Sequence, residues 1–176
     1  MRTPDGTLMK IVLHEPGIAL NTGNIGRTCV ATDTELHLIR PYGFVISQKE
    51  IRRAGMDYWD KVKLFQYVDY EDFLEKNADA FAAGARLWYA TTKAHQVYTE
   101  VSYGPDDFIM LGNESRGIPE EILAAHASDC VRIPMWGDIR SLNLANSAAV
   151  ILYEALRQND FYGLQRQGEL HRLHWI

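Results

Sequence analysis

A chain of 176 residues with 47% apolar residues and a formal charge of −5 has the size and composition of one globular domain burying its own core. No apolar run approaches the roughly 18 residues of a membrane span, and residues 1–8 form a short polar extension without the apolar centre of a secretory signal. Cys29 and Cys130 are too few and too far apart for a disulfide scaffold or a zinc site, which points to a reducing, cytoplasmic setting. The acidic balance argues against a domain that coats nucleic acid without specificity, yet it leaves RNA open as a substrate. A local basic cluster (Lys49, Arg52, Arg53, Lys61, Lys63) fits phosphate contacts or, equally, a solvated helix face.

In chain order, strands alternate with helices. Lys10–His14 reads as an apolar strand. Asn21–Thr32 reads as a helix, with Asn21 or Thr22 as its cap and Ile25, Cys29 and Thr32 at helical spacing. Leu36–Ile39 is a second strand ending at Pro41, and Gln48–Met56 a short helix closed near Gly55. Leu64–Val68 is a third strand, after which Asp69 caps Tyr70–Asn77 with Phe73 and Leu74 turned inward. Leu87–Thr92 and Phe108–Leu111 are buried strands. Pro119 opens Glu120–His126, and Val131–Met135 is the last strand. Ser141–Gln158 is the strongest helix, with Leu144, Ala148, Ile151, Leu152 and Ala155 on one stripe and Ser141 as its natural cap. The fold class is α/β, a mostly parallel sheet flanked by helices. One domain spans 1–176, with 160–176 as a C-terminal tail.

Three polar, glycine-bearing turns carry the chemistry. Asn21-Thr22-Gly23-Asn24-Ile25-Gly26-Arg27 follows the first strand but is neither a GxGxxG turn nor a P-loop. Its glycines suit a tight turn. Arg27, one turn into a helix, is either a surface cation or a bidentate phosphate ligand. In Gly112-Asn113-Glu114-Ser115-Arg116-Gly117, Gly112 admits a ligand close to the backbone and Gly117 permits positive φ. Glu114 and Arg116 either pair with each other at the surface or serve a site fixed between a strand and Pro119. In Arg140-Ser141-Leu142-Asn143-Leu144-Ala145-Asn146-Ser147, Asn143, Asn146 and Ser147 share one helical face beside small residues, suiting a ligand or a partner helix. Three such turns at strand ends are the setting for a nucleotide-like ligand in an open α/β sheet. Histidine and acidic spacings argue against a metal site, no GxSxG elbow is present, and Trp59, Trp88 and Trp136 read as core or rim aromatics.

In order and spacing, the three segments resemble the signature motifs of the SPOUT RNA methyltransferases. With Glu15-Pro16, Arg52-Arg53-Ala54-Gly55-Met56-Asp57-Tyr58 and Thr91-Thr92-Lys93, the chain is similar over about Lys10–Arg157 to the small bacterial tRNA ribose methyltransferases of the wobble nucleotide. The resemblance implies a deep C-terminal trefoil knot, an exception to unknotted topology. It implies S-adenosylmethionine bound by Ala90, Thr91, Gly112, Glu114, Ile133, Met135, Ser141, Leu142 and Asn146, with S-adenosylhomocysteine as product and no metal. Ala90 stands where the family tends to carry leucine. An obligate homodimer, packed through its first and C-terminal helices and sharing its active sites, is also implied.

The expected reaction is methyl transfer to a ribose 2′-hydroxyl of a tRNA anticodon stem-loop. Arg27 matches an arginine often taken as the base, but a group with a pKa above about 12 is better suited to hold phosphate and stabilise a developing alkoxide. Glu114, Ser141 and Asn143 are candidates to orient the cofactor or relay the proton. Arg52, Arg53 and Lys93 are candidates for RNA contacts. The absence of an added RNA-binding domain favours the wobble enzyme. The alternatives are a methyltransferase for another RNA position (a ribosomal RNA ribose or a tRNA base) and a non-catalytic knotted module that binds RNA and adenosylmethionine.

Overall fold

A parallel sheet organises the chain in the computed structural model, which describes residues 9–44 and 57–176. Its strands are β1 (Lys10–His14), β2 (Glu35–Ile39), β3 (Leu64–Tyr67), β4 (Leu87–Ala90), β5 (Gln96–Val97), β6 (Phe108–Leu111) and β7 (Cys130–Arg132). They lie in the order β3-β2-β1-β6-β4-β7-β5, and every pairing is parallel. The helices are α1 (Ala19–Thr32), α2 (Tyr70–Lys76), α3 (Ala78–Ala82), α4 (Glu120–Ala125) and α5 (Leu144–Gln158).

Alternation along the strands splits the core in two, because successive side chains point to opposite faces. Ile11, Leu13, Leu36, Leu38, Ile109 and Leu111 face α1 and α5 and pack with Ile25, Cys29, Ile151, Leu152 and Ala155. Val12, Ile39, Phe108 and Met110 face the other way, onto Phe73, Tyr89, Ile118 and Leu123. Burial on both faces explains why these strands read as short continuous apolar runs. Cys29 and Cys130 belong to different layers and are both unpaired. No described helix is long and apolar enough to cross a membrane.

The differences from the sequence reading have local causes. Helix α1 starts at Ala19, so neither Asn21 nor Thr22 caps it; the cap position is Ile18, with no side-chain bond of its own. Helix α5 starts at Leu144 and is capped by Asn143, not Ser141: the Asn143 Oδ1 accepts from the N–H groups of Ala145 (2.9 Å) and Asn146 (3.3 Å). The last main strand stops at Arg132, before Ile133-Pro134, since proline removes a ladder donor. Strand β5, α3 and two single 3₁₀ turns are too short for periodicity to register. Asp69 does cap α2, its Oδ1 accepting from Asp72 N at 2.8 Å. The expected helix Gln48–Met56 lies outside the described residues. Trp59 and Trp88 are core residues, whereas Trp136 is 94% exposed.

Candidate active site at the carboxyl edge of the sheet

Parallel strands deliver all their following loops to one edge, and there the three polar turns meet. The loops after β1, β6, β4 and β7 surround an open cleft of about 520 Å³. That volume suits a nucleoside-sized ligand. Its wall combines backbone edges with polar side chains and an apolar floor of Leu111, Val131 and Ile151.

Gly112 stands at the neck of a tight turn, where the chain passes back against itself at Gly117 and Ile118. A Cβ there would lie 2.1 Å from the carbonyl carbon of Gly117 and 2.2 Å from the nitrogen of Ile118. Glycine is therefore required by backbone against backbone, where the sequence reading had assigned the room to a ligand. Gly117 takes φ +74°, as expected. The Asn113 side chain closes the turn: its Oδ1 accepts from Ser115 N (2.9 Å) and Arg116 N (3.2 Å), and its Nδ2 donates to Glu15 O (2.7 Å). Glu15, at the end of β1, holds φ +52°, a left-handed value costly for a residue with a side chain. Its carboxylate pairs with Arg116 at 2.7 Å.

Glu114 does not pair with Arg116. Its carboxylate reaches the N-terminus of α1 and accepts from Gly17 N (2.8 Å), Ile18 N (3.2 Å) and Asn21 Nδ2 (3.0 Å). These backbone donors have no partner inside the helix, and the helix dipole favours a negative charge there. A residue more than ninety positions away thus does the work of the missing local cap. Asn21 Oδ1 in turn accepts from Asn143 Nδ2 at 3.0 Å. The three polar turns are joined in one chain of hydrogen bonds, from Glu114 through Asn21 to Asn143 and the first turn of α5. Asn21 is the joining residue, and the sequence reading had treated it only as a cap.

Ala90, Thr91, Gly112, Glu114, Ile133, Met135, Ser141, Leu142 and Asn143 all line the cleft, as does Lys93. Lys93 sits at the exposed rim, with its Nζ 2.8 Å from Glu120. Asn146 does not line the cleft; it is exposed on α5, and Ser147 lines the wall instead. Arg27 is also outside. It lies six residues beyond Asn21, about 9 Å further along the axis and rotated by about 240°. There it is exposed, its guanidinium 4.6 Å from the centre of the Tyr58 ring, while Tyr58 Oη donates to Gly23 O. Arg52 and Arg53 lie outside the described residues. Ile18, Asn113 and Arg140, which the sequence reading did not single out for the pocket, line it too. Among the described residues no group of three His, Cys, Asp or Glu side chains is placed to hold a metal ion.

Residues 8–153 match the SpoU rRNA Methylase family. The chain is 49% identical over 160 residues to a Listeria innocua protein carrying a provisional form of the name tRNA (cytidine(34)-2′-O)-methyltransferase, covering 89% of this chain and 92% of that one. A Photorhabdus asymbiotica protein with that name unqualified is 44% identical over 157 residues, covering 89% of this chain and 97% of its own. Among solved structures, one described as giving insight into 2′-OH methylation of C/U34 on tRNA superposes with a TM-score of 0.79 at 40% identity, covering 88% of this chain and 97% of that one. An AdoMet-bound rRNA methyltransferase from Sinorhizobium meliloti superposes at 0.73 with 27% identity, covering 85% of this chain but 56% of that longer chain. The shared sheet, the cleft at its carboxyl edge and the match over most of the sequence make one conclusion: the chain belongs to the SpoU rRNA methylase family.

Proposed function

We propose that this protein transfers a methyl group from S-adenosylmethionine to the 2′-hydroxyl of the wobble ribose, nucleotide 34, in the anticodon stem-loop of tRNA, acting in the cytoplasm. The observation that carries this reading is the near full-length correspondence with a protein whose structure concerns that reaction. The cleft fits the cofactor: its volume suits an adenosine, and the segments after β4, β6 and β7 line it with small, polar and apolar residues that can flank a base and ribose. Thr91, Gly112, Ile133, Met135, Ser141 and Leu142 would hold it. When bound, it supplies an electrophilic methyl on a sulfonium. We also infer the knotted threading of the C-terminal segment, which the family match supports.

The chain's own residues have separable tasks. Glu114 is a positioning residue, since its oxygens already hold the α1 N-terminus and Asn21. Asn143 fixes the start of α5 to α1, and Ser141 is free at the cleft wall to orient the reactants. Arg27 carries the charge that holds the RNA phosphate beside the target ribose and stabilises the alkoxide as its proton leaves. Because Arg27 points away from the cleft of its own chain, it serves the cleft of a second copy. Support for a homodimer comes from exposed apolar residues on the same two helices, Leu20 on α1 with Val150 and Tyr153 on α5.

The test is incubation of the purified protein with labelled S-adenosylmethionine and total tRNA from a strain lacking the activity, followed by nucleoside mass spectrometry. A 2′-O-methylated nucleotide 34 is expected; label at another position would overturn the substrate. Arg27→Ala should abolish transfer with cofactor affinity unchanged. Mixed with Asn143→Ala and reassembled, it should recover about a quarter of the activity, since half the dimers then carry one intact shared site.

A further inference from the structure

The loop after β2 carries an arrangement that the cofactor cleft does not use. Arg40, Tyr42 and Phe44 form one side-chain cluster at the same carboxyl edge. The Tyr42 and Phe44 rings are stacked, with centroids 5.8 Å apart and planes at 23°. The Arg40 guanidinium lies 5.5 Å from the Tyr42 ring centre, with its Nε 3.4 Å from Tyr42 Oη. Tyr42 Oη donates to Gln66 Oε1 of β3 at 2.9 Å, which fixes the ring's orientation. Both rings remain partly exposed, and Arg40 is exposed and has no carboxylate partner among the described residues.

The cluster is tied to the site through the backbone. Gly43 N donates to Pro16 O at 3.0 Å, and a Cβ on Gly43 would stand 2.6 Å from Gly17 O. Gly17 is the residue whose N–H is held by Glu114. Strand β2 is two places from β6 across β1, about 10 Å away in strand spacing, so the loop that carries the aromatic pair leaves the same edge as the loops of the cleft. A strand separation of that order is within the reach of a neighbouring nucleotide when the target ribose is in the cleft.

We propose that Tyr42 and Phe44 take by stacking an unpaired base flanking the target nucleotide, and that Arg40 holds the adjoining phosphate. This rests on the reading of the protein as a methyltransferase of a single-stranded RNA loop. Aromatic rings accept any base face and tolerate sequence, and a guanidinium beside them that has no carboxylate partner among the described residues supplies the phosphate contact. The subsite therefore holds loop RNA in register without selecting a base identity.

The experiment uses tRNA anticodon stem-loops carrying 2-aminopurine at position 33 or 35, read by fluorescence on binding to the full chain. Wild type should quench the probe at one of the two positions. Tyr42→Ala and Tyr42→Leu should lose that quench, raise the KM for tRNA on the order of tenfold or more, and leave S-adenosylmethionine affinity and kcat unchanged. Tyr42→Trp should retain it, and Arg40→Gln should weaken binding and lower its salt dependence. Tyr42→Leu keeps a large apolar side chain without an aromatic face, and its thermal midpoint separates a lost stack from a lost fold. Binding of the stem-loop without quench at either position, or an unchanged KM in both Tyr42→Ala and Tyr42→Leu, overturns the subsite while the wobble reading stands. Failure of wild type to bind the stem-loop defeats both.

Discussion

Strand β6 is bracketed by two carboxylates with the same hydrogen-bond inventory and opposite settings. Before it, Asp107 accepts from Arg86 N, Trp88 Nε1 and Gly104 N, each at 2.8 Å, and is 2% exposed. After it, Glu114 accepts from Gly17 N, Ile18 N and Asn21 Nδ2 on the wall of an open cleft. Each carboxylate ties distant chain segments to the sheet. The amino-edge one does so where water cannot replace it, so its bonds contribute chiefly to stability. The carboxyl-edge one does so beside a ligand-sized space, so its bonds fix the shape of a site. Counting hydrogen bonds would not separate the two roles. Their access to solvent does.

The sharpest way to break the comparison is to disturb the turn that follows β6. Gly112→Ala should prevent folding or cost more than about 4 kcal/mol, because the atoms it meets are backbone and cannot rotate away. Gly117→Ala meets no atom within 4 Å but occupies φ +74°, so it should cost about 1–2 kcal/mol. Urea unfolding of the two variants checks this. Similar losses for both would mean that the neck of the turn can relax.

Matched amide substitutions then test the two ends of the strand. Asp107→Asn turns an amide N–H toward buried donors and should cost about 3 kcal/mol by denaturant unfolding. Once folded below its new midpoint, it should transfer methyl groups normally. Glu114→Gln should cost only about 1 kcal/mol of stability, because water can reach the donors it leaves. It should lower kcat about a hundredfold, because the first turn of α1 and Asn21 lose their anchor. Equal stability losses, or an active Glu114→Gln enzyme, would erase the distinction.

Much of this was legible in advance, for identifiable reasons. Lys10–His14 and Phe108–Leu111 were readable to the residue because strands buried on both faces are short apolar runs between polar turns. Eight of the nine residues that the family resemblance implies around the cofactor line the cleft, because the resemblance places them on loops that follow parallel strands. The starts of α1 and α5 were not legible. The partner of the α1 N-terminus is Glu114, and no local pattern announces a cap supplied from across the sheet. Asn143 was recognised as a site residue but not as the cap of α5, since Ser141 is an equally good cap in sequence and only the path of Arg140–Asn143 decides between them. The setting of Arg27 was also out of reach, because helical phase relative to the cleft depends on packing against Tyr58 and α5.

The smallest expected effect extends the contrast to β1, which runs beside β6. Its amino-edge Lys10 donates to Asp106 O at 2.7 Å, whereas its carboxyl-edge His14 is buried against Tyr70. Burial pushes the His14 imidazole below its ordinary value; the neighbouring Glu15 opposes that shift and Arg116 adds to it, with Glu71 a weaker opposing charge. The unfolded chain takes a proton on this group near pH 6.5, while the folded chain resists until the pH is lower. Folding stability from His14 is therefore fully present above about pH 6.5 and is lost as pH falls through the folded pKa. His14→Phe keeps an aromatic edge against Tyr70 and removes the titration. Its unfolding free energy should decline less than that of wild type between pH 7.5 and 5.5. Parallel declines would place the acid sensitivity elsewhere, with the buried His37 of β2 as the next group to replace.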